Sequence, residues 1–257
     1  MKIINFFFFL IILLAMVSCV SKKDIIYFNK DTINQENVSN NYKTIFKSGD
    51  LVQITVSSEN IISSKPFNLP VVTFSASTNA VVGTPRQQNY LIDSSGYIIF
   101  PVLGKIKIGG LTREELIKLL RTKLVPDHLK NPIINIRITN FKVTVEGDVK
   151  TPGTFLIPNE RITIMEALGL AGDLNISAQR NNILIIREEN GRKTQHRIDL
   201  TSMKTFNSPV YYLQQNDLVY VEPNNPKVQS ASYNPNYSVI ISISSVLISL
   251  ISILTRK

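Results

Sequence analysis

Five serines close to the C-terminus, Ser238, Ser242, Ser245, Ser249 and Ser252, are separated by four, three, four and three positions. On a helix turning about 100° per residue they share an arc of roughly 80°, with only Ser244 elsewhere. Such a row offers hydrogen-bond donors and acceptors without fixed charge. It suits close helix packing, or contact with water and hydroxyl-rich solutes, and not bond breaking. The one thiol of the chain is Cys19. A single cysteine excludes a disulfide framework and a cysteine zinc site, and two histidines, His128 and His196, do not make a multi-histidine metal centre. The nucleophile-elbow, phosphate-loop and zinc-protease motifs are absent. Glu114 and Glu115 open a predicted helix, where acids are stabilising in any case. His128 reads as a helix-end cap, and His196 alternates on a strand. Asp50 and Asp217 each follow a turn residue and start a strand, where aspartate bonds nearby backbone N–H groups. The chain is therefore expected to be no enzyme and to need no metal or cofactor.

The elements that carry Cys19 and the serines lie at the two ends. Lys2 and the apolar run Phe6–Leu14 precede Met16-Val17-Ser18-Cys19, the layout of a secretory signal over residues 1–18. The last four residues resemble a bacterial lipobox, with Met in the usual Leu place. Cys19 is then the expected lipidation site, and several acyl chains on one residue give durable attachment. Val20 after the cysteine favours the outer membrane. Residues 19–41, rich in Lys and Asn, read as a lipidated tether. At the other end every residue from Ser238 to Leu254 is Ser, Val, Ile or Leu. A strand there would leave backbone groups unpaired in lipid, so residues 237–257 are expected to form a membrane-spanning amphipathic helix. Two uses of its hydroxyl stripe stay open: helix–helix packing, or a watery lumen between several copies. A lone passive anchor is the third reading.

Of the 257 residues 44% are hydrophobic and 18% charged, with a formal charge of +9. The cations occur singly or in pairs and the aromatics at strand-like positions, so nucleic acid is not the expected partner. The middle is β-rich. Leu51–Val56 reads as a strand, and Asn60–Gln88 as an extended excursion without period. Tyr90–Ile92 and Tyr97–Phe100 read as a hairpin about Asp93–Gly96. Thr112–Glu115 is a capping box opening a helix whose buried face holds Leu116, Leu119, Leu120 and Leu124. Ile134, Ile136 and Ile138 alternate as a strand. From Phe141 a second unit follows. It has strands about Pro152-Gly153, a short helix capped by Thr163 and Glu166, a hairpin at Asn190-Gly191, and a last pair around Asn216-Asp217. That order is β-grasp-like, and the fold class is α+β. Residues 223–236 form a Pro/Asn linker.

Two sets of residues carry a resemblance. Tyr90-Leu91-Ile92-Asp93 with Gly96, Phe100-Pro101-Val102-Leu103-Gly104 and Gly110-Leu111-Thr112 form the first. Val145-Glu146-Gly147-Asp148-Val149, Pro152-Gly153 and Ala167-Leu168-Gly169-Leu170-Ala171-Gly172 form the second. In combination the chain resembles the polysaccharide export family of outer-membrane lipoproteins. The resemblance implies an export domain over 42–140 and one soluble-ligand-binding β-grasp domain over 141–222, where larger relatives have two. It also implies a homo-oligomeric ring with terminal helices forming an α-helical barrel through the outer membrane. Capsular or extracellular polysaccharide would pass through, handed on by an inner-membrane co-polymerase. The rival expectation is a glycan-binding or structural periplasmic lipoprotein without a pore.

Overall fold

The computed structural model describes residues 25–31, 43–74, 81–189, 191–231 and 236–254. The expected signal segment, Cys19 and most of the tether lie outside them.

The first unit is a three-stranded antiparallel sheet in the order β4-β1-β7, with β1 at Leu51–Ser57, β4 at Asn89–Leu91 and β7 at Ile133–Ile138. Val52, Ile54 and Val56 of β1 alternate inward with Ile134, Ile136 and Ile138 of β7. Helix α2, Arg113–Leu124, lies against β7 and buries Leu116, Leu120 and Leu124, while Leu119 packs at the margin. Its start is the expected capping box: Thr112 accepts from Glu115 N and Glu115 accepts from Thr112 N at 2.8 Å. Pro126 ends it.

Two expectations for this unit change. The stretch 60–88 holds a one-turn helix, α1 at Ile61–Ser64, and a hairpin of β2, Pro70–Phe74, with β3, Val81–Gln87. Elements this short leave no period to read. Tyr90–Ile92 also does not pair with the strand after it. Tyr90, on β4, is opposite Val52 of β1, whereas β5, Tyr97–Phe100, pairs with β6, Gly104–Lys107. The Asp93 turn is real, since Asp93 Oδ1 accepts from Ser95 and Tyr97 N–H. It redirects the chain because burying Tyr90 and Ile92 beside β1 places that strand in the main sheet.

The second unit is a five-stranded mixed sheet in the order β12-β11-β14-β8-β9. Hairpin β8, Lys142–Gly147, with β9, Gly153–Leu156, comes first. Helix α3, Ile164–Leu170, follows, capped by Thr163 and Glu166. Hairpin β11, Ala178–Glu189, with β12, Arg192–Ile198, comes next. Strand β14, Leu218–Pro223, then inserts between the hairpins, antiparallel to β11 and parallel to β8. This is the β-grasp order the pattern predicts. The residues around Asn216-Asp217 are not a hairpin pair, however. Strand β13, Tyr212–Leu213, bonds β10, Ile162–Thr163, instead. A central strand parallel to β8 cannot be joined to its partner by a tight turn, so local sequence hides it.

Part of the segment expected to be a tether is docked. Phe28 N–H donates to Leu200 O at 3.1 Å, Lys30 N–H to Thr201 O at 2.9 Å, and Phe28 stacks 4.9 Å from Phe206. At the other end come α4, Asn225–Ala231, and α5, Asn236–Leu254. The membrane-spanning helix expected over residues 237–257 is not supported: among the described residues no helix is long and apolar enough to cross a membrane. With 19 residues, α5 is about 28 Å long, against an average hydrocarbon core of about 30 Å.

Candidate functional site

Ser238, Ser242, Ser245 and Ser249 stand on α5 at the helical spacing, and the backbone of Ser252 continues the row. Three of the stripe's hydroxyls are turned back on the helix: Ser242 Oγ donates to Ser238 O, Ser245 to Ser242 O and Ser249 to Val246 O, each at 2.8 Å. Their protons are thereby used, and the oxygen lone pairs are left outward as acceptors. The side chain of Ser252 and the whole of Cys19 lie outside the described residues. Between the serines, Val239, Ile240, Ile241, Ile243, Val246, Leu247, Ile248, Leu250 and Ile253 are each more than half exposed. An aliphatic side chain gains about 1.5–3 kcal/mol on burial, and the described part of this chain supplies none of that cover to α5.

A second feature is a cleft of about 870 Å³ where the two units meet. Its walls carry Lys47, Ser94 and Ser95 from the first unit and Glu188, Lys193 and Gln214 from the second. On the first side the wall is thin because Gly96 and Gly109 touch: a Cβ on Gly109 would lie 2.7 Å from Gly96 Cα. Lys47 spans the floor, its Nζ donating to Gln214 Oε1 at 2.9 Å and Glu188 O at 3.1 Å. Burial holds its ammonium below the usual lysine range, against the pull of Asp217. Hydroxyls, amides and charges of both signs can bind a polar ligand. Among the described residues no cluster of His, Cys, Asp or Glu could hold a metal ion.

The seam beneath the cleft is polar and closely bonded. Asn140, between the units, accepts Leu51 N–H at 2.8 Å, donates to Gly49 O at 3.0 Å, and accepts Gln215 Nε2 on its carbonyl at 2.9 Å. Glu160 of the second unit accepts Ile138 N–H of β7 at 2.7 Å and pairs with Arg113. Burial raises the Glu160 carboxyl, with Arg113 pulling the other way. Asp50, fully buried, accepts Lys47 N–H at 2.8 Å on Oδ2, while Oδ1 lacks a well-placed partner. Its carboxyl is pushed up to about 6 by burial, which the Lys47 N–H and ammonium only partly offset. Sequence singled out Asp50 and Asp217 as turn residues, and each does bond the N–H three positions earlier. That their turns meet, through Lys47 and Gln214, is a long-range contact no local pattern signals.

The family model for polysaccharide biosynthesis/export proteins matches residues 38–139, and the model of the SLBB domain matches residues 141–221. The chain belongs to the polysaccharide export family. It is similar to the EPS I polysaccharide export outer membrane protein EpsA of Ralstonia solanacearum, 28% identical over 144 residues, 55% of this chain and 38% of the relative. The protein of the same name from Ralstonia nicotianae is 32% identical over 103 residues, 39% of this chain and 27% of the relative. The chain spans well under half the length of these curated relatives in the matched regions. The two family matches abut at Asn140, the residue that stitches the seam. Within the SLBB match, Gly147 has φ +93°, and a Cβ there would sit 2.0 Å from Val221 O. This explains why the glycine of the Val-Glu-Gly-Asp-Val motif is needed: β14 passes too close for any side chain.

Proposed function

We propose that this export-family chain is a subunit of an outer-membrane conduit for capsular or extracellular polysaccharide. In this reading Cys19 is lipidated, copies of the chain form a ring, and their α5 helices gather with the serine row inward and the aliphatic faces in lipid. The observation that carries it is the succession of parts: an export domain and an SLBB domain followed by an uncharged helix, bare at nine apolar positions from Val239 to Ile253, with serines along one side. A barrel of helices keeps backbone hydrogen bonds internal while opening a wide pore. Serine oxygens whose own protons are already bonded accept readily from sugar hydroxyls and hold no charge that would trap a polymer. Both ends leave the second domain. Cys19 is eight residues before Tyr27, which is docked on Asp173, a span of at most about 29 Å when extended, so this domain sits nearest the membrane. The export domain then faces away, toward an inner-membrane co-polymerase.

Images of the full chain in detergent test the reading: a closed ring is expected, and a monomer overturns it in favour of a glycan-binding lipoprotein without a pore. Removing residues 236–257 should abolish surface polymer while leaving a lipidated protein, and Cys19→Ser should remove the acyl label. Ser245→Glu separates the two uses of the stripe, since a wet lumen tolerates the charge and a dry packed seam does not.

A further inference from the structure

We infer that the paired backbone segments 148–151 and 171–175 form a clasp that fixes the directions in which both membrane-directed ends leave the SLBB domain, with Lys227 and Tyr27 as the side chains it holds. The segments are joined by the bridge of Val149 with Leu174, by Lys150 N–H to Asp173 O at 3.2 Å and by Asn175 N–H to Asp148 O at 3.1 Å. Each supplies one carboxylate that bonds one end of the chain.

Asp148, from the SLBB motif, is only 4% exposed. Asn175 Nδ2 donates to its Oδ1 at 2.8 Å and Ser177 Oγ to its Oδ2 at 2.6 Å, and its countercharge is Lys227 Nζ on α4. Burial alone would raise this carboxyl, but Lys227, Ser177 and Asn175 together hold it below the usual range. A buried carboxylate stripped of its cation is strongly destabilising, so the domain is complete only when the linker helix is in place. α4 has seven residues and buries none of them, too little to hold itself by propensity or apolar packing. Polar contacts therefore carry its attachment: Lys227 on Asp148, and Asn224 N–H on Ser177 O at 2.7 Å.

Asp173 serves the other end. It accepts Tyr27 O–H at 2.5 Å and Leu174 N–H at 2.7 Å. The Arg180 guanidinium lies 5.3 Å from the Tyr27 ring centre, and the strap continues along Leu200 and Thr201. Burial and the Asp173 bond keep the Tyr27 phenol protonated above its usual range, as a donor to this carboxylate must be. One pair of segments thus grips the chain before the globular domains and again after them, just ahead of α5.

That these ends reach the membrane, and that loosening them lowers surface polymer, rests on the export reading; the exchange readout does not. The test is hydrogen exchange on the full chain in detergent, comparing Lys227→Glu, Lys227→Arg and Tyr27→Phe. Lys227→Glu should speed the Val228 amide and its α4 neighbours about tenfold or more, and Tyr27→Phe the Phe28 and Lys30 amides, while β11 and β14 stay at wild-type protection. Lys227→Arg should restore α4, and in cells Lys227→Glu should cut surface polymer several-fold at equal protein level. Wild-type exchange at α4 in Lys227→Glu, or at the strap in Tyr27→Phe, overturns the clasp, as does undiminished polymer from a protein with a loosened α4. A failed export reading shows instead in the wild type, as a monomer or as polymer that does not depend on the protein.

Discussion

Lys47, on the turn before β1, and Gln214, on the turn before β14, meet across the boundary of the two domains, Nζ to Oε1 at 2.9 Å. The turns are alike. Gly49 and Asn216 both have positive φ, and the aspartate after each caps the N–H three residues back. Their contact makes the seam one bonded surface. Lys47→Met should cost about 1.5–3 kcal/mol, the worth of a charged hydrogen-bond donor. Limited proteolysis should then cut faster around Asn140.

Asp50 makes that seam sensitive to acidity. Its folded carboxyl, at about 6, lies above an unfolded value of about 3.9. Its stabilising contribution is therefore complete below about pH 4 and is lost as pH rises through 6, up to about 3 kcal/mol. Asp50→Asn removes this dependence. Denaturant midpoints should show the variant gaining on the wild type between about pH 4 and 7, then holding level.

The second aspartate, Asp217, is held in a buried ion pair. Arg187 Nε and Nη2 grip Asp217 at 2.7–3.2 Å, with the two side chains 4% and 0% exposed, and Nη2 also bonds Tyr212 O at 3.1 Å. Arg187→Met leaves a buried carboxylate alone and should cost about 3–5 kcal/mol in urea unfolding. Adding Asp217→Asn should recover part of that loss, since the orphaned charge is gone.

Gly147→Ala should fail at the joining of β8 and β14. With φ +93° and the Val221 carbonyl 2.0 Å from the new Cβ, backbone must shift rather than a side-chain tip. A loss of about 3 kcal/mol or more is expected, with exchange rising first at Val145 and Val219, the register partners beside the glycine.

Sequence by itself determined what is local. The capping boxes at Thr112 and Thr163, the inward Ile134-Ile136-Ile138, the hairpin reversal between Glu189 and Arg192 and the helical row of serines follow from hydrogen-bonding partners or periods within a few residues. The family motifs were readable too, because glycines such as Gly147 are demanded by a backbone approach that tolerates nothing else. Tertiary structure decided where chain segments distant in sequence meet. It placed Tyr90 beside Val52 and β14 between the two hairpins, and it turned part of an apparent tether into a strap on Asp173. It also gave Asp50 and Asp217, alike as turn residues, different surroundings, one with an oxygen left unbonded and one gripped by Arg187. Burial and pairing depend on which surfaces the whole fold brings together, and desolvation, unlike capping, has no period to read.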